Sequence, residues 1–393
     1  MNYKILHRIT AALVFLITLV AYFATVQPSV SFWDCGEFVA SAYSMQVPHP
    51  PGTPFFLILG RLFAMIPFVD NIALRVNTVS VLSSAFTAMF LYLVAVKLIF
   101  NYIKNGPKNL FDAITIFISA AIGALSLSFS DTFWFNGVEA EVYAHSTFYI
   151  AIVTWLMMVW NEKADEEGNE KYLILIFYLI GLSTGVHLMS VLAIVSVVMV
   201  VLFRKYVTDE KTLKSTGIIF IIHSAIIIVI ALLMWMSQTT SAPPNPADYG
   251  SGDMKYVATF AVISILFMGA LYKKIFQRNS FYIPIIIGGI TLVAVYPGLV
   301  KYFPKLISVI AKNDFTLDII VTFILFGIVG YGIYWSSRNK KETFNLVLKC
   351  LFFAMLGVTS YAMMIIRANQ ETPINMNSPK TFTELESYLN REQ

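Results

Sequence analysis

Runs of apolar residues long enough to cross a lipid bilayer recur along almost the whole of this 393-residue chain. A spanning helix needs about 20 such residues. In hydrocarbon every backbone N–H and C=O must find its partner within the span, which leaves helices or a closed barrel. Runs at 9–26, 72–99, 111–129, 146–160, 216–236, 256–275, 281–300, 317–335 and 344–366 read as helices. The apolar block 172–206 is broken by "GLSTGVHLMS" into two short helices, which brings the expected number to eleven. The run 54–67, "PFFLILGRLFAMIP", carries Arg61 and is too short to span, so it reads as an interfacial or re-entrant helix. The fold class expected is an all-α polytopic membrane protein.

Composition agrees. Hydrophobic residues make up 58% of the chain and charged residues 13%, about half the usual ~25% of a soluble domain. Lys4 and Arg8 precede a first apolar core longer than that of a signal peptide. No small-x-small cleavage site follows it, so it reads as a retained helix. With the N-terminus in the cytoplasm, 18 of the 27 basic residues fall on the cytoplasmic side of an eleven-span path. That orientation sends the C-terminus, the loop after the first helix, the loop 128–146 and the polar stretch 237–255 to the outer side. Residues 1–366 read as the membrane domain. Residues 367–393 read as the start of an outward soluble segment that stops in mid-helix, with Thr381 or Thr383 as its N-cap. Two distant cysteines, Cys35 and Cys350, make neither a disulfide framework nor a metal cluster. No phosphate-binding Gly-rich loop, zinc signature, nucleophile elbow or basic aromatic patch for nucleic acid is present.

The chemistry concentrates in "SFWDCGEFVASAYSMQVPHPPGT", residues 31–53. Asp34 and Glu37 are three apart and share a face if helical. Glu139 and Glu141, in "WFNGVEAEVYAH", are two apart and cannot, so one is expected to line a cavity while the other meets solvent or caps a helix. Carboxylates among Phe32, Trp33, Phe38, Trp134 and Phe135 are expected to have raised pKa values and to serve as bases. Each also has a plainer reading. Asp34 can simply cap a helix, Glu37 can pair with Arg61 or Arg75, and His49 and His187 can satisfy local backbone groups. Arg75 and Arg367 stand at the ends of spans, where a guanidinium can grip a phosphate bidentately or reach lipid headgroups.

The opening motif, together with "NGVEAEVYA", "GLSTGVHLMSV" and "IRANQETPINMNSP", resembles glycosyltransferase family 117, which includes bacterial members and animal protein O-mannosyltransferases. The resemblance covers the whole chain, and Val195-Ser196 departs from it where Ile-Pro is usual. It implies a GT-C-like bundle with short interfacial helices in the first outer loop, in a bacterial inner membrane, the C-terminus being periplasmic. It also implies an inverting transferase that moves a sugar, mannose, from a polyprenyl-phosphate donor to Ser/Thr hydroxyls of secreted or envelope proteins. The catalytic roles fall on Asp34 and Glu37, with the choice of base left open. Substrate binding falls on His49, Arg75, Glu139, Glu141, His187 and Arg367. Metal and cofactor are expected to be absent, since the lipid-linked sugar is itself a substrate. The rivals are a transporter, a lipid-handling protein or an envelope-complex scaffold.

Overall fold

In the computed structural model the described residues are 3–104, 106–237, 246–312 and 314–392, with the side chains of 246–253 set aside. Helices follow in chain order: α1 (Tyr3–Thr25), α2 (Cys35–Ser44), α3 (Pro54–Met65), α4 (Ile72–Ile103), α5 (Leu110–Ser128), α6 (Asp131–Gly137), α7 (Val142–Lys163) and α8 (Glu170–Thr184). A 3₁₀ turn at Leu188–Leu192 leads into α9 (Ala193–Lys205), α10 (Glu210–Met236), α11 (Pro246–Ala270), α12 (Tyr272–Ile275) and α13 (Tyr282–Val293). A π-helical stretch, Ala294–Tyr302, carries Pro297 and joins α13 to α14 (Phe303–Ile310). The chain ends with α15 (Phe315–Arg338), α16 (Glu342–Val358), a 3₁₀ turn at Thr359–Tyr361, α17 (Ala362–Ala368) and α18 (Phe382–Leu389). Among the described residues there is no strand, only an isolated bridge between Val47 and Asn375.

The chain is an all-α polytopic membrane protein. Nine of the described helical segments are long and apolar enough to cross a membrane. They account for nine of the eleven expected runs. The other two are shorter: α8 has 15 residues, and the apolar part of α11 covers Met254–Ala270. The run at 54–67 is the 12-residue α3, with Pro54 in its first turn, where a missing N–H costs nothing. In the stretch 237–255, residues 238–245 lie outside the described ones, and α11 is already helical from Pro246. Proline at a first helical position is preorganised for the turn, although the composition of this stretch reads as loop.

Two compact units divide the chain. One comprises residues 1–194 and 292–393, the other 195–291. In the second, the start of α13 is tied to α10, since the Phe281 N–H donates to Thr216 Oγ1 (2.9 Å), and α10 meets α11 where His223 stacks on Phe267 at 4.5 Å. In the first, glycines set the closest helix approach. A Cβ on Gly181 would meet the Ala354 carbonyl oxygen at 2.2 Å, and one on Gly357 would meet the Leu182 nitrogen at 2.3 Å. α8 and α16 therefore touch backbone to backbone, the small-residue packing that membrane helices use in the absence of a hydrophobic drive.

The segment after α17 belongs to the first unit and does not stand apart from the membrane helices. Its helix α18 starts with a complete capping box, Thr381 with Glu384. It buries Leu385, Tyr388 and Leu389 in the same apolar cluster as Phe38, Phe56, Leu57 and Tyr361.

Candidate active site

The site is built on the loop between α1 and α2 and on the turn that follows α2. Trp33, 85% exposed, holds a left-handed backbone (φ 61°), unusual for a bulky residue and costly unless its surroundings fix it. Asp34 follows at the N-cap position of α2, yet its carboxylate makes no capping hydrogen bond. A cap that does not cap removes the plain structural reading of this residue. Glu37 lies in the first turn of α2. The chain leaves α2 through Met45 (φ 52°) and returns, so that His49 comes back over Glu37.

There the contacts are specific. The His49 backbone N–H donates to one Glu37 oxygen at 2.7 Å, and His49 Nδ1 meets the other at 2.7 Å. An ionised carboxylate only accepts, so Nδ1 carries the hydrogen. Nε2 is left facing Asp34 Oδ2 at 3.7 Å. Burial pushes the Glu37 carboxyl up, but the two His49 bonds outweigh it and leave the group below its ordinary value. The Glu37 bond raises the His49 imidazole, burial opposes it, and the charges of Glu37 and Asp34 add to the rise. The raised pKa expected for these acids is thus reversed at Glu37, because it accepts two hydrogen bonds from His49, which favour its ionised form.

Glu139 and Glu141 form a second, buried acid group. Glu139 accepts from the Ser31 hydroxyl in a short bond. Glu141 is the N-cap of α7, accepting from the Val142 N–H (3.3 Å), and also meets Cys35 Sγ at 3.7 Å. Burial moves Glu141 up to about 7, with the Val142 bond opposing and the charges of Asp34 and Glu139 adding. Burial likewise pushes the Cys35 thiol up to about 12.

The arginines go elsewhere. Arg75 donates to the carbonyls of Val69 (2.6 Å) and Ala64 (2.8 Å), at the end of α3. Arg367 donates to Met45, to Gln370 and to Ser44 (2.8 Å), at the end of α2. Arg61 donates to the Tyr43 carbonyl and lies over the Tyr43 ring. All three serve carbonyls at helix C-termini. The ten residues of α2, at 1.5 Å each, put Arg367 roughly 15 Å from Asp34. His187 sits at the break after α8. Its Nδ1 accepts from the Met189 N–H (3.1 Å), which puts the ring hydrogen of the neutral form on Nε2, and its ring lies against Tyr143.

Sequence reasoning passed over Tyr388 and Arg391, which are three apart near the end of α18. The Tyr388 hydroxyl donates to the Pro48 carbonyl (2.5 Å) and reaches that of His49 (3.3 Å). It fits because Gly52 (φ 69°) has no Cβ, which would lie 2.7 Å from that hydroxyl. The positive charge of Arg391 acts on both His49 and His187. The i, i+3 spacing in "YLNREQ" was the available signal.

Asp34, Glu37 and His49 bring their possible ligand atoms within 4.8 Å of one another. Glu37 is used up by His49, however, and Asp34 with Nε2 makes two donors where catalytic zinc sites have three. The two described grooves, each about 450 Å³, are lined by residues such as Tyr302 and Leu306 or Tyr178 and Phe353, and neither borders this cluster.

Residues 34–210 match the family model described as "Protein O-mannosyl-transferase TMEM260 N-terminal domain". The comparisons support an O-mannosyltransferase-like family. The chain is similar to the Protein O-mannosyl-transferase tmem260 of Dictyostelium discoideum, at 28% identity over 175 residues, 43% of this chain and 19% of that protein. It is also similar to the Protein O-mannosyl-transferase TMEM260 of Mus musculus, at 26% identity over 191 residues, 48% and 25% respectively. It therefore matches about a fifth to a quarter of the length of these relatives. No solved structure matches the chain.

Proposed function

We propose that this chain is the membrane part of an inverting transferase. It moves mannose from a polyprenyl-phosphate carrier to Ser/Thr hydroxyls of proteins on the outer face of a bacterial inner membrane. The observation that carries the reading is the division of labour in the Asp34–His49–Glu37 cluster, at the start of the segment that matches the family. Glu37 has both oxygens engaged by His49, whereas the Asp34 side chain is 53% exposed and free of a cap. Asp34 is then the proton acceptor. The acceptor hydroxyl oxygen bonds to sugar C1 as its proton passes to Asp34, and the C1–O bond to the carrier breaks with its electrons leaving on the phosphate. The negative Asp34 also favours the oxocarbenium-like transition state.

Charge growing on the phosphate calls for cations, and a guanidinium with no carbonyl to serve suits this best. Arg391 is exposed and, among the described residues, its side chain has no hydrogen-bond or ion-pair partner, unlike Arg75 and Arg367. We assign the phosphate to Arg391 and to the Nε2–H of His187, and we expect neither cofactor nor metal.

The decisive experiment is transfer from polyprenyl-phosphate mannose to a Ser/Thr peptide by the full-length protein in membranes. Product formed by the parent and lost in Asp34→Asn supports the reading. A parent protein that moves the lipid or the peptide across the membrane without forming a sugar–peptide bond sinks it in favour of a transporter.

A further inference from the structure

The acid cluster contains more than a base, and the role of its other two members rests on the assignment of Asp34 as proton acceptor. We propose that Glu37 is a positioning residue that holds His49 with Nδ1–H toward itself and Nε2 toward Asp34, so that His49 relieves Asp34 of the proton taken from the acceptor hydroxyl.

The geometry has three parts. Two bonds of 2.7 Å, one from the His49 main chain and one from its ring, fix both the position and the rotation of the imidazole. The Phe38 ring, 5.6 Å away at 31°, and the Tyr388 hydroxyl on the Pro48 carbonyl close the other sides. Among the described residues Nε2 then has one charged neighbour within 4 Å, Asp34. At 3.7 Å the pair is slightly too long for a hydrogen bond, as acid–base contacts often are before substrate arrives.

The proton balance is simple. The hydroxyl O–H breaks, and its proton goes first to Asp34 Oδ2 and then to the Nε2 lone pair of neutral His49. The resulting imidazolium lies against the Glu37 carboxylate and later gives the proton to water. A carboxylic acid is a stronger acid than an imidazolium by roughly two pK units in simple peptides, so the second transfer runs downhill. It restores Asp34 to the ionised form before the next substrate.

The relay needs neutral His49. The groups acting on it are Glu37 from α2 and Asp34 before it, both raising its pKa, and Arg391 after α18, which lowers it. The Tyr388 phenol also stands beside the turn, held neutral by burial. Activity should therefore fall as pH drops through the raised His49 value.

The test is the pH–rate profile of mannose transfer by the full-length protein, using polyprenyl-phosphate mannose and a Ser/Thr peptide. Glu37→Gln should slow the plateau and move the acid limb to lower pH. Arg391→Gln should move it to higher pH. Glu37→Asp should restore part of the rate. His49→Gln should abolish that limb. Opposite shifts in the first two variants support the relay. Acid limbs that stay put, or move together, overturn it, and so does activity lost to a chelator and recovered with Mn²⁺ or Mg²⁺. If Glu37→Gln does not fold, the Arg391→Gln and His49→Gln profiles still decide. Unmoved limbs with an inactive Asp34→Asn refute only the relay, whereas parental turnover in Asp34→Asn refutes the base itself.

Discussion

Two acid pairs stand near one another, and they are built oppositely. Asp34 and Glu37 lie at the open end of α2, half-exposed, and share a histidine. Glu139 and Glu141 are buried with hydroxyl, thiol and backbone partners and, among the described residues, no cation. The first arrangement keeps Glu37 ionised, and the second brings Glu141 up to about 7. Aromatic residues flank both pairs in the sequence, so they do not account for the difference. What separates the pairs is the number of N–H donors that meet the carboxylate, two from His49 at Glu37, and the depth of burial.

The sharpest way to break this contrast is to neutralise each pair in turn. Asp34→Asn should lower turnover by about 10²–10⁴-fold, the range of general-base catalysis. Glu141→Gln replaces an acid that is about half protonated at neutrality and should leave turnover within about threefold of the parent, far inside that range. Equal losses, measured side by side in the transfer assay, would merge the two pairs into one functional unit.

Stability against pH sharpens the same contrast. Glu141 titrates at about 7 when folded and near its ordinary 4.5 when unfolded. Below 4.5 it is neutral in both states and costs nothing. The cost grows between 4.5 and 7 and is complete above, at about 3 kcal/mol for the gap between those two values. Glu141→Gln should thus be more stable than the parent at pH 8 and no more stable at pH 4.5, as thermal unfolding in detergent would record. Glu37 and His49 behave the other way. The lowered Glu37 contributes stability above the ordinary Glu range, lost as pH falls through its folded value. The raised His49 contributes below its ordinary value, lost as pH rises through its folded one. Glu37→Gln should accordingly show its largest stability deficit between those two limits.

The smallest effect expected is at the scaffold. Tyr388→Phe deletes the bond to the Pro48 carbonyl and should cost about 1 kcal/mol, seen as faster hydrogen exchange at the His49 amide and none at the Val142 amide that Glu141 caps. Exchange that quickens equally at both sites would mean that the two pairs open together.

Much of the fold was legible because lipid imposes a single rule, and long apolar runs announce themselves. The spans at 72–99 and 317–335 lie within α4 and α15. The helix starting at Pro246 was hidden by a composition that reads as loop. At the site, spacing found Asp34 and Glu37 and also the broken helix before His187. It did not find that Glu37 and His49 pair, because a left-handed Met45 turns the chain back between them. Nor did it foresee that Arg75 and Arg367 would be taken by carbonyls. A guanidinium at a span end looks the same in sequence whether it meets a phosphate or a helix terminus. Arg391 was missed because the segment beyond residue 366 read as a separate soluble beginning.

That last segment sets a timetable. The Tyr388 hydroxyl docks on Pro48, 340 residues earlier in the chain, the Ile374 N–H donates to Gln46, and Arg367 holds the end of α2. At a synthesis rate of about 5–20 residues per second, the opening motif leaves the ribosome roughly 17–70 s before its clamp exists. During that interval two carboxylates and a histidine wait without the contacts that hold their turn. Nascent chains halted before residue 367 should therefore carry their signature motif in the membrane in an unassembled, protease-sensitive form, and the site should mature in one late step.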